Sequence, residues 1–311
     1  MAVSMKGRSF VSIADFTTEE IWTVWELAAS LKMKQKIGEP HRILEGKHLA
    51  MIFQKPSLRT QVSFETGMAQ LGGHAVFLGP DHIQLGKRES VPDVARVLGR
   101  MVDGIMARVF AHNDVEMLAD YAGVPVINGL SDEEHPCQAL ADLFTIYEKK
   151  RRVEGINLTY IGDGNNVAAS LLLTAAKVGM NCTLICPDGY EVKPHYIQTA
   201  RADAALSGSK LQFSNDPADV AGSDVIYTDV WASMGQEAEA AERARIFKSF
   251  QVNDKLMKKA GANPPLIMHC LPAHRGHEIT DEAMDGPTSV VFEEAENRLH
   301  VQKALMALLI Q

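Results

Sequence analysis

A site for a small anion is indicated by residues 55–60, where the sequence reads Lys-Pro-Ser-Leu-Arg-Thr. This segment lies between an apolar run at 49–53 and an amphipathic run at 62–71, a pattern that predicts a strand, a loop and a helix. The free backbone N–H groups at a helix N-terminus favour an anion, and Ser57, Arg59 and Thr60 add two hydroxyls and a guanidinium. The chemistry indicated is capture of a phosphorylated molecule, while the simpler interpretation is an ordinary helix cap.

Two more clusters of reactive side chains follow predicted strands. His135 and Gln138 lie one helical turn apart after the apolar segment 124–128, so both can face the same ligand. A His-Pro pair that merely starts a helix is the simpler interpretation. Cys270 lies two residues after the apolar run 266–268, and taken alone it reads as a buried structural cysteine.

Six motifs in this chain resemble, in order and spacing, those of the ornithine carbamoyltransferases. They are Ser57-Leu58-Arg59-Thr60, Met106-Ala107-Arg108, His135-Pro136-Cys137-Gln138, Gly162-Asp163-Gly164-Asn165-Asn166, Asp229-Val230-Trp231-Ala232-Ser233-Met234-Gly235 and His269-Cys270-Leu271-Pro272. The resemblance extends from residue 10 to residue 300. One departure is Gln61, which stands where many relatives have a second arginine.

The composition is typical of a compact enzyme. The chain has 311 residues, 46% of them hydrophobic and 23% charged, which suggests two domains. A formal charge of −8 argues against nucleic acid as a partner. The sequence contains neither an apolar run of about 20 residues nor a signal peptide, so we expect no membrane segment. The four cysteines, at 137, 182, 186 and 270, do not resemble a disulfide framework, and we expect a cytoplasmic protein.

Short apolar runs alternate with helical patterns, which predicts an α/β fold of two doubly wound parallel-sheet domains. The predicted strands are 49–53, 75–78, 104–106, 124–127, 158–161, 182–186, 211–213, 225–227, 266–268 and 290–292. A helix from about 136 to 152 connects the domains, and 236–244 reads as a surface helix. The resemblance implies a carbamoyl phosphate-binding domain at 1–148, with a final helix at 294–311 packing back on it, and an ornithine-binding domain at 149–293. Because ligands of open α/β sheets bind at the carboxyl ends of strands, we expect the active site in the cleft between the domains.

The resemblance also implies a role for each site residue. Those expected to bind carbamoyl phosphate are Ser57, Leu58, Arg59, Thr60, Gln84, Arg108, His135, Gln138, Cys270, Leu271 and Arg298. Those expected to bind ornithine are Asn166, Asp229, Ser233 and Met234. Gln84 matches a position that reaches into a neighbouring subunit's site, so the resemblance implies an oligomer, and we expect a homotrimer with shared sites.

The reaction implied is transfer of a carbamoyl group to the δ-amine of L-ornithine, giving L-citrulline and phosphate. The expected catalytic residues are Arg108, His135, Asp229 and Cys270. The first two meet charge on the carbamoyl oxygen, and the last two serve the proton that the amine must lose before it attacks. We expect no metal and no organic cofactor.

Further functions are left open by the residues themselves. Gly162-Asp163-Gly164 after a predicted strand half-resembles a dinucleotide-binding fingerprint, although Val167 occupies its third glycine position. That pattern would suit a nicotinamide dehydrogenase. The residues also leave open a non-catalytic homologue and a carbamoyltransferase that acts on putrescine or acetylornithine.

Overall fold

The computed structural model describes residues 4–233 and 235–311, which form two compact units. The first unit comprises residues 4–141 and 296–311, and the second comprises the described residues of Asp142–Ala295. Each unit is an α/β structure built on a parallel sheet.

The sheet of the first unit has the strand order β2-β1-β3-β4. Its strands are β1 (His48–Phe53), β2 (His74–Leu78), β3 (Gly104–Arg108) and β4 (Val126–Leu130). Its helices are α1 (Thr18–Lys36), α2 (Leu58–Gln70), α3 (Pro80–Ile83), α4 (Val91–Leu98) and α5 (His112–Ala122). Helix α6 (Pro136–Lys150) begins in this unit and ends in the second.

The sheet of the second unit has the strand order β7-β6-β5-β8-β9. Its strands are β5 (Asn157–Ile161), β6 (Asn181–Ile185), β7 (Leu211–Ser214), β8 (Val225–Thr228) and β9 (Leu266–His269). Its helices are α7 (Asn166–Lys177), α8 (Pro194–Ser207), α9 (Ala240–Ile246), α10 (Asp254–Lys259) and α11 (Asp281–Met284). Helix α12 (Val291–Ile310) begins here and ends in the first unit.

Buried aliphatic side chains explain why the apolar runs become central strands. In the first unit Ile52, Ile105 and Val126 are fully buried in one cluster with residues of α4 and α5. In the second unit Ile226 and Ile267 are fully buried in a comparable cluster. Consecutive residues of β1, β3 and β8 are buried, so both faces of these strands are covered. Removing each large aliphatic side chain from water contributes roughly 1.5–3 kcal/mol.

Both strand orders reverse direction at a point that bears on function. The chain moves outward from β1 to β2 and then returns to β3 on the other side of β1, and β5 and β8 form the equivalent reversal in the second sheet. In open parallel sheets the loops at such a reversal diverge and leave a crevice at the carboxyl ends of the strands. The segments that follow β1, β5 and β8 contain three of the six sequence motifs, and a fourth, Met106-Ala107-Arg108, forms the carboxyl end of β3.

The expected strand at 290–292 is wrong. Helix α12 begins at Val291, three residues before the expected start at 294, and only an isolated bridge from Ser289 to Ile267 remains of strand pairing there. Val290 and Val291 are buried while Phe292 is 63% exposed, a pattern that a helix's first turn produces as readily as a strand does.

Several boundaries shift by a few residues. The strand expected at 124–127 runs from Val126 to Leu130, since Pro125 has no N–H for a sheet ladder. The surface helix expected at 236–244 consists of a 3₁₀ turn at Glu237–Glu239 followed by α9.

In the described part of the chain no helix combines the length and apolar character needed to cross a membrane. The four cysteines are free and buried.

Candidate active site

The corner between β1 and α2 is shaped by Ser57, which caps the helix. Its Oγ accepts a hydrogen bond from the Thr60 backbone N–H at 3.3 Å and donates to Thr60 Oγ1 at 3.1 Å. Thr60 is fully buried, Arg59 is half-buried and Leu58 is 75% exposed. Because α2 begins at Leu58, its first backbone N–H groups lie beside these side chains, an arrangement that favours a bound anion.

Arg298, on α12, connects this corner to α6. Its Nη2 donates to Thr60 Oγ1 at 3.0 Å, and its Nη1 donates to Gln138 Oε1. Arg298, Gln138 and Arg108 are all at most 6% exposed. Burying guanidinium groups costs free energy unless acceptors or an anion compensate them, so this cluster favours a small anionic ligand.

His135 lies in the field of three guanidinium groups. Burial lowers the pKa of its imidazole well below 6.5, and the charges of Arg298, Arg108 and Arg59 lower that pKa further. The ring is therefore neutral at pH 7, so one of its nitrogens carries a proton and can donate it in a hydrogen bond. A neutral donor among arginines suits an oxygen that gains negative charge during a reaction.

Gln84 follows α3 and its side chain is exposed. Its backbone is in the left-handed region, with φ 41° and ψ 52°. Its N–H donates to the Pro80 carbonyl at 3.2 Å, and its own carbonyl accepts from the N–H groups of Lys87 at 2.9 Å and Arg88 at 3.1 Å. Among the hydrogen bonds of the residues that the structure describes, none joins Gln84 to the Ser57 corner.

In the second unit Asp229 is the centre of a hydrogen-bonded cluster after β8. Its Oδ1 accepts from the Val230 N–H at 2.8 Å and from Cys270 Sγ at 3.0 Å, and its Oδ2 accepts from Asn165 Nδ2 at 2.8 Å. Burial raises the pKa of the Cys270 thiol well above its ordinary value, and the neighbouring Asp229 charge raises that pKa further. Cys270 is therefore a protonated thiol at neutral pH and donates to the Asp229 carboxylate.

His269 holds the loop that follows β9. Its Nδ1 accepts from the Leu271 N–H at 2.8 Å, so the ring proton lies on Nε2, which faces Glu278 Oε1 at 3.2 Å. Leu271 has φ 59°, a left-handed conformation rare for leucine, and the bond to His269 stabilises it. Asp229, His269 and Cys270 place possible metal-ligand atoms within 4.8 Å of one another, but both ring nitrogens of His269 take part in these hydrogen bonds.

The remaining residues expected to bind ornithine are placed only in part. Asn166 is half-buried and opens α7. The Ser233 N–H donates to Gln236 Oε1 at 3.0 Å, so the loop folds back on itself at this point. Met234 lies outside the described residues.

Asn165 was missed as a site residue, although it adjoins Asn166. Its Oδ1 accepts from the N–H groups of Val167 at 2.9 Å and Ala168 at 3.1 Å, while its Nδ2 donates to Asp229. An Asn after a glycine-rich turn and before a predicted helix signals a cap. That signal could have identified the cap, but the contact with a residue 64 positions away depends on the sheet order.

Two family models match this chain over most of its length. One, described as "Aspartate/ornithine carbamoyltransferase, carbamoyl-P binding domain", matches residues 8–148. The other, described as "Aspartate/ornithine carbamoyltransferase, Asp/Orn binding domain", matches residues 154–309. The two ranges contain the Ser57 corner and the Asp229 cluster respectively.

Full-length relatives share one name. Ornithine carbamoyltransferase from Pyrococcus horikoshii is 58% identical over 311 residues, which is 100% of this chain and 98% of the relative. "Ornithine carbamoyltransferase, anabolic" from Pyrococcus furiosus is 57% identical with the same coverage.

Solved structures of ornithine carbamoyltransferases match the fold of this chain. The ornithine carbamoyltransferase structure from P. furiosus has a TM-score of 0.97 at 57% identity and covers 99% of both chains. The structure from Gloeobacter violaceus has a TM-score of 0.88 at 43% identity and covers 99% of this chain and 100% of that one. Since sequence, domain models and fold agree along the whole length, the chain belongs to the aspartate/ornithine carbamoyltransferase family and, within it, to the ornithine carbamoyltransferases.

Proposed function

We propose that this protein transfers the carbamoyl group of carbamoyl phosphate to the δ-amine of L-ornithine, giving L-citrulline and phosphate. The observation that carries the proposal is the neutral His135 surrounded by three arginines beside the N-terminus of α2. This group of side chains offers donors to a dianionic phosphate and to a carbonyl oxygen at the same time. Family membership supports the same reaction.

Carbamoyl phosphate binding belongs to the first unit in this proposal. The phosphate is held by Ser57, the Leu58 N–H, Arg59 and Thr60, with Arg298 completing the cage. Thr60 Oγ1 already accepts from Ser57 and from Arg298, so its own O–H is left to donate to the substrate.

The carbamoyl group lies toward Arg108, His135 and Gln138 in this proposal. The carbonyl oxygen accepts from Arg108 and from the protonated ring nitrogen of His135. These donors gain strength as the oxygen becomes an oxyanion, and removing one such donor typically costs about 3–4 kcal/mol of transition-state stabilisation. The family resemblance also assigns Cys270 and Leu271 to carbamoyl phosphate binding, and that assignment stays a prediction.

Ornithine binding belongs to the second unit. Asn166 binds its carboxylate, while Asp229 and Ser233 lie around its α-amino group. The family resemblance adds Met234 to this set, and that assignment stays a prediction. The carboxylate of Asp229 is well oriented for an ammonium, because the Val230 N–H and Asn165 fix both of its oxygens.

The δ-ammonium must lose a proton before it attacks, since an alkyl amine of this kind has a pKa of about 10.4. Cys270 cannot accept that proton while it is a thiol, but the incoming ammonium offsets the Asp229 charge and favours the thiolate. We propose that the thiol passes its proton to the Asp229 carboxylate, to which it already donates, while the resulting thiolate takes the proton of the δ-ammonium. The neutral amine then forms the N–C bond, and the C–O bond to phosphate breaks with its electron pair going to phosphate. The nitrogen's second proton is lost to the departing phosphate, which leaves as hydrogen phosphate. This step balances without an oxidant or reductant, and the absence of metal and organic cofactors stays a prediction.

We propose a homotrimer in which Gln84 reaches the neighbouring subunit's site. The outer strand β2 supports this proposal, since Val76 and Phe77 on it are each 39% exposed. Exposed apolar side chains on an edge strand are typical of a surface that another chain covers.

We also propose a cytoplasmic location and a role in biosynthesis. The four free cysteines support a reducing cytoplasm. The name of the P. furiosus relative supports the anabolic direction of the reaction.

A steady-state assay of carbamoyl transfer tests the function. Ornithine, putrescine, acetylornithine and aspartate are compared as acceptors at saturating carbamoyl phosphate. We expect ornithine to have the highest kcat/KM and to yield citrulline. A higher kcat/KM with another amine, or no transfer to ornithine, would overturn the proposal.

A further inference from the structure

Gln302 lies on α12 one helical turn after Arg298 and is fully buried. Its side-chain amide is placed between the Arg298 guanidinium and the Ser63 hydroxyl on α2. The amide oxygen accepts from Arg298 Nε at 3.0 Å and Nη2 at 3.1 Å, and the amide nitrogen donates to Ser63 Oγ. The family resemblance assigns no role to Gln302.

Hydrogen-bond chemistry permits only one orientation of this amide. Arg298 can only donate, so the amide oxygen must face it. Ser63 has one hydroxyl proton, which it gives to the Arg59 carbonyl at 2.6 Å, so its oxygen is left to accept from the Gln302 nitrogen. The amide of Gln302 thus matches both neighbours without competition.

Close packing of α2 against α12 brings these groups within reach. Gly67, one turn after Ser63, has no side chain, and a Cβ there would lie 2.9 Å from Met306 Cε and 3.2 Å from Lys303 Cγ. Met306 lies one turn after Gln302 on α12. A larger residue at 67 would therefore have to displace side chains of α12 close to the level where the amide bridges the helices.

We propose that Gln302 is a positioning residue that holds the Arg298 guanidinium in register with the first turn of α2. Two bonds to one edge of the guanidinium fix its plane, so that its other donors meet Thr60 and Gln138. The bond to Ser63 connects the same amide to the Arg59 carbonyl, and hence to the backbone of the anion site. The proposal deepens the proposed function, because it takes carbamoyl phosphate as the anion that this geometry serves.

The test replaces Gln302 by Met, which has similar volume but lacks the amide, and by Glu, which restores acceptors for Arg298. Lys303→Met is the matched control: Lys303 is buried on the same helix and donates to Gln35 and Gln70. For each protein the carbamoyl phosphate KM, the ornithine KM, the Kd of inorganic phosphate by calorimetry and the Tm are measured.

We expect Gln302→Met to raise the carbamoyl phosphate KM and the phosphate Kd about tenfold, as for the loss of a charge-assisted bond, with the ornithine KM within about twofold of wild type. Gln302→Glu keeps acceptors for Arg298 but loses the donor to Ser63 and adds a negative charge beside the anion, so its phosphate Kd should be at least as high as that of Gln302→Met. Lys303→Met should lower the Tm comparably and leave the carbamoyl phosphate KM within about twofold, since its partners lie outside the site.

A Gln302→Met protein with wild-type carbamoyl phosphate KM and phosphate Kd would overturn the proposal, as would an equal effect of Lys303→Met. If Gln302→Met fails to fold, Ser63→Ala removes the amide's other partner and is expected to raise the phosphate Kd about threefold, and an unchanged Kd would overturn the proposal. The phosphate titration needs no turnover. A wild-type protein that makes no citrulline but binds phosphate would therefore refute the proposed reaction and still test Gln302.

Discussion

At the scale of single residues, surroundings decide which form of a titratable side chain is present. His135 is neutral because it is buried among guanidinium groups, and Cys270 is a thiol because it is buried beside a carboxylate. A neutral imidazole donates to a developing oxyanion without adding another buried cation. The thiol must first give its proton to Asp229 before it can accept another, and an arriving cation favours that transfer, which couples its chemistry to ornithine binding.

The low pKa of His135 predicts a loss of stability in acid. The unfolded chain binds a proton at this residue below about pH 6.5 and the folded protein does not, so stability present above pH 6.5 falls as the pH decreases toward the folded pKa. Relative to His135→Gln, we expect the wild-type free energy of unfolding to fall by about 1 kcal/mol between pH 6.5 and 5.5. Denaturant unfolding of both proteins at the two pH values measures this. A difference that stays constant would show that the folded protein protonates His135 normally.

Cys270→Ser tests the proton path. A serine hydroxyl can still donate to Asp229 but is a far weaker acid than a thiol, so it cannot become the acceptor near neutral pH. We expect a higher ornithine KM, a kcat lower by roughly 10²-fold and an altered pH profile of kcat/KM for ornithine, with the carbamoyl phosphate Kd nearly unchanged. Wild-type ornithine kinetics across the pH range would reduce Cys270 to a packing role.

At the scale of elements, each half of the proposed site depends on the start of a helix. Ser57 caps α2 and Asn165 caps α7, and each of these residues also touches a group proposed to bind substrate. Such a cap therefore both marks where the helix starts and supports a functional side chain. Changes that shift a cap should alter binding more than they alter the amount of helix.

The substitution Gly164→Ala tests, at α7, whether shifting a helix cap alters substrate binding. A Cβ at Gly164 would lie 2.3 Å from the Val192 backbone N, so Gly164→Ala forces a backbone shift at this contact. We expect the shift to reach the neighbouring Asn165 and, through its hydrogen bond, Asp229. We expect ornithine kcat/KM to fall by about 10²-fold and the phosphate Kd to stay within about twofold, because the phosphate residues lie in the other unit.

Gly189→Ala serves as the control for that substitution. Gly189 has φ +83° with open space at its Cβ, so alanine costs about 1–2 kcal/mol of stability through its backbone alone. It should leave ornithine kcat/KM nearly unchanged. An equal loss of activity in both variants would indicate general destabilisation of the unit instead of displacement of Asp229.

At the scale of the whole molecule, the proposed trimer predicts complementation between subunits. Gln84→Ala and Arg108→Ala are each expected to be nearly inactive. If a site combines Arg108 of one subunit with Gln84 of the next, random trimers from equal amounts of the two variants contain native pairs at about one quarter of the sites. Reassembled mixtures should therefore recover about a quarter of wild-type activity. Mixtures no more active than their parents would mean that sites are not shared.

Much of the fold and the site was predictable, because the signals are local. The apolar runs became the strands β1 to β9, and the Ser57–Thr60 and His135–Gln138 clusters lie at helix starts as expected. The 290–292 run failed because three apolar residues do not distinguish a strand from a helix's first turn. The half-matched dinucleotide fingerprint was local too, and only the full set of motifs and the family membership favour a carbamoyltransferase over a dehydrogenase.

The sequence by itself determined the residue types, the helix and strand periodicity, and the family. Tertiary structure decided which distant side chains meet. Helix packing brings Ser63 to Gln302, and the strand order brings Asn165 to Asp229. Tertiary structure also decided protonation, since the neutral state of His135 requires burial among arginines that come from positions 59, 108 and 298. The physical reason is that desolvation and charge depend on distance in space, whereas periodicity depends on distance along the chain.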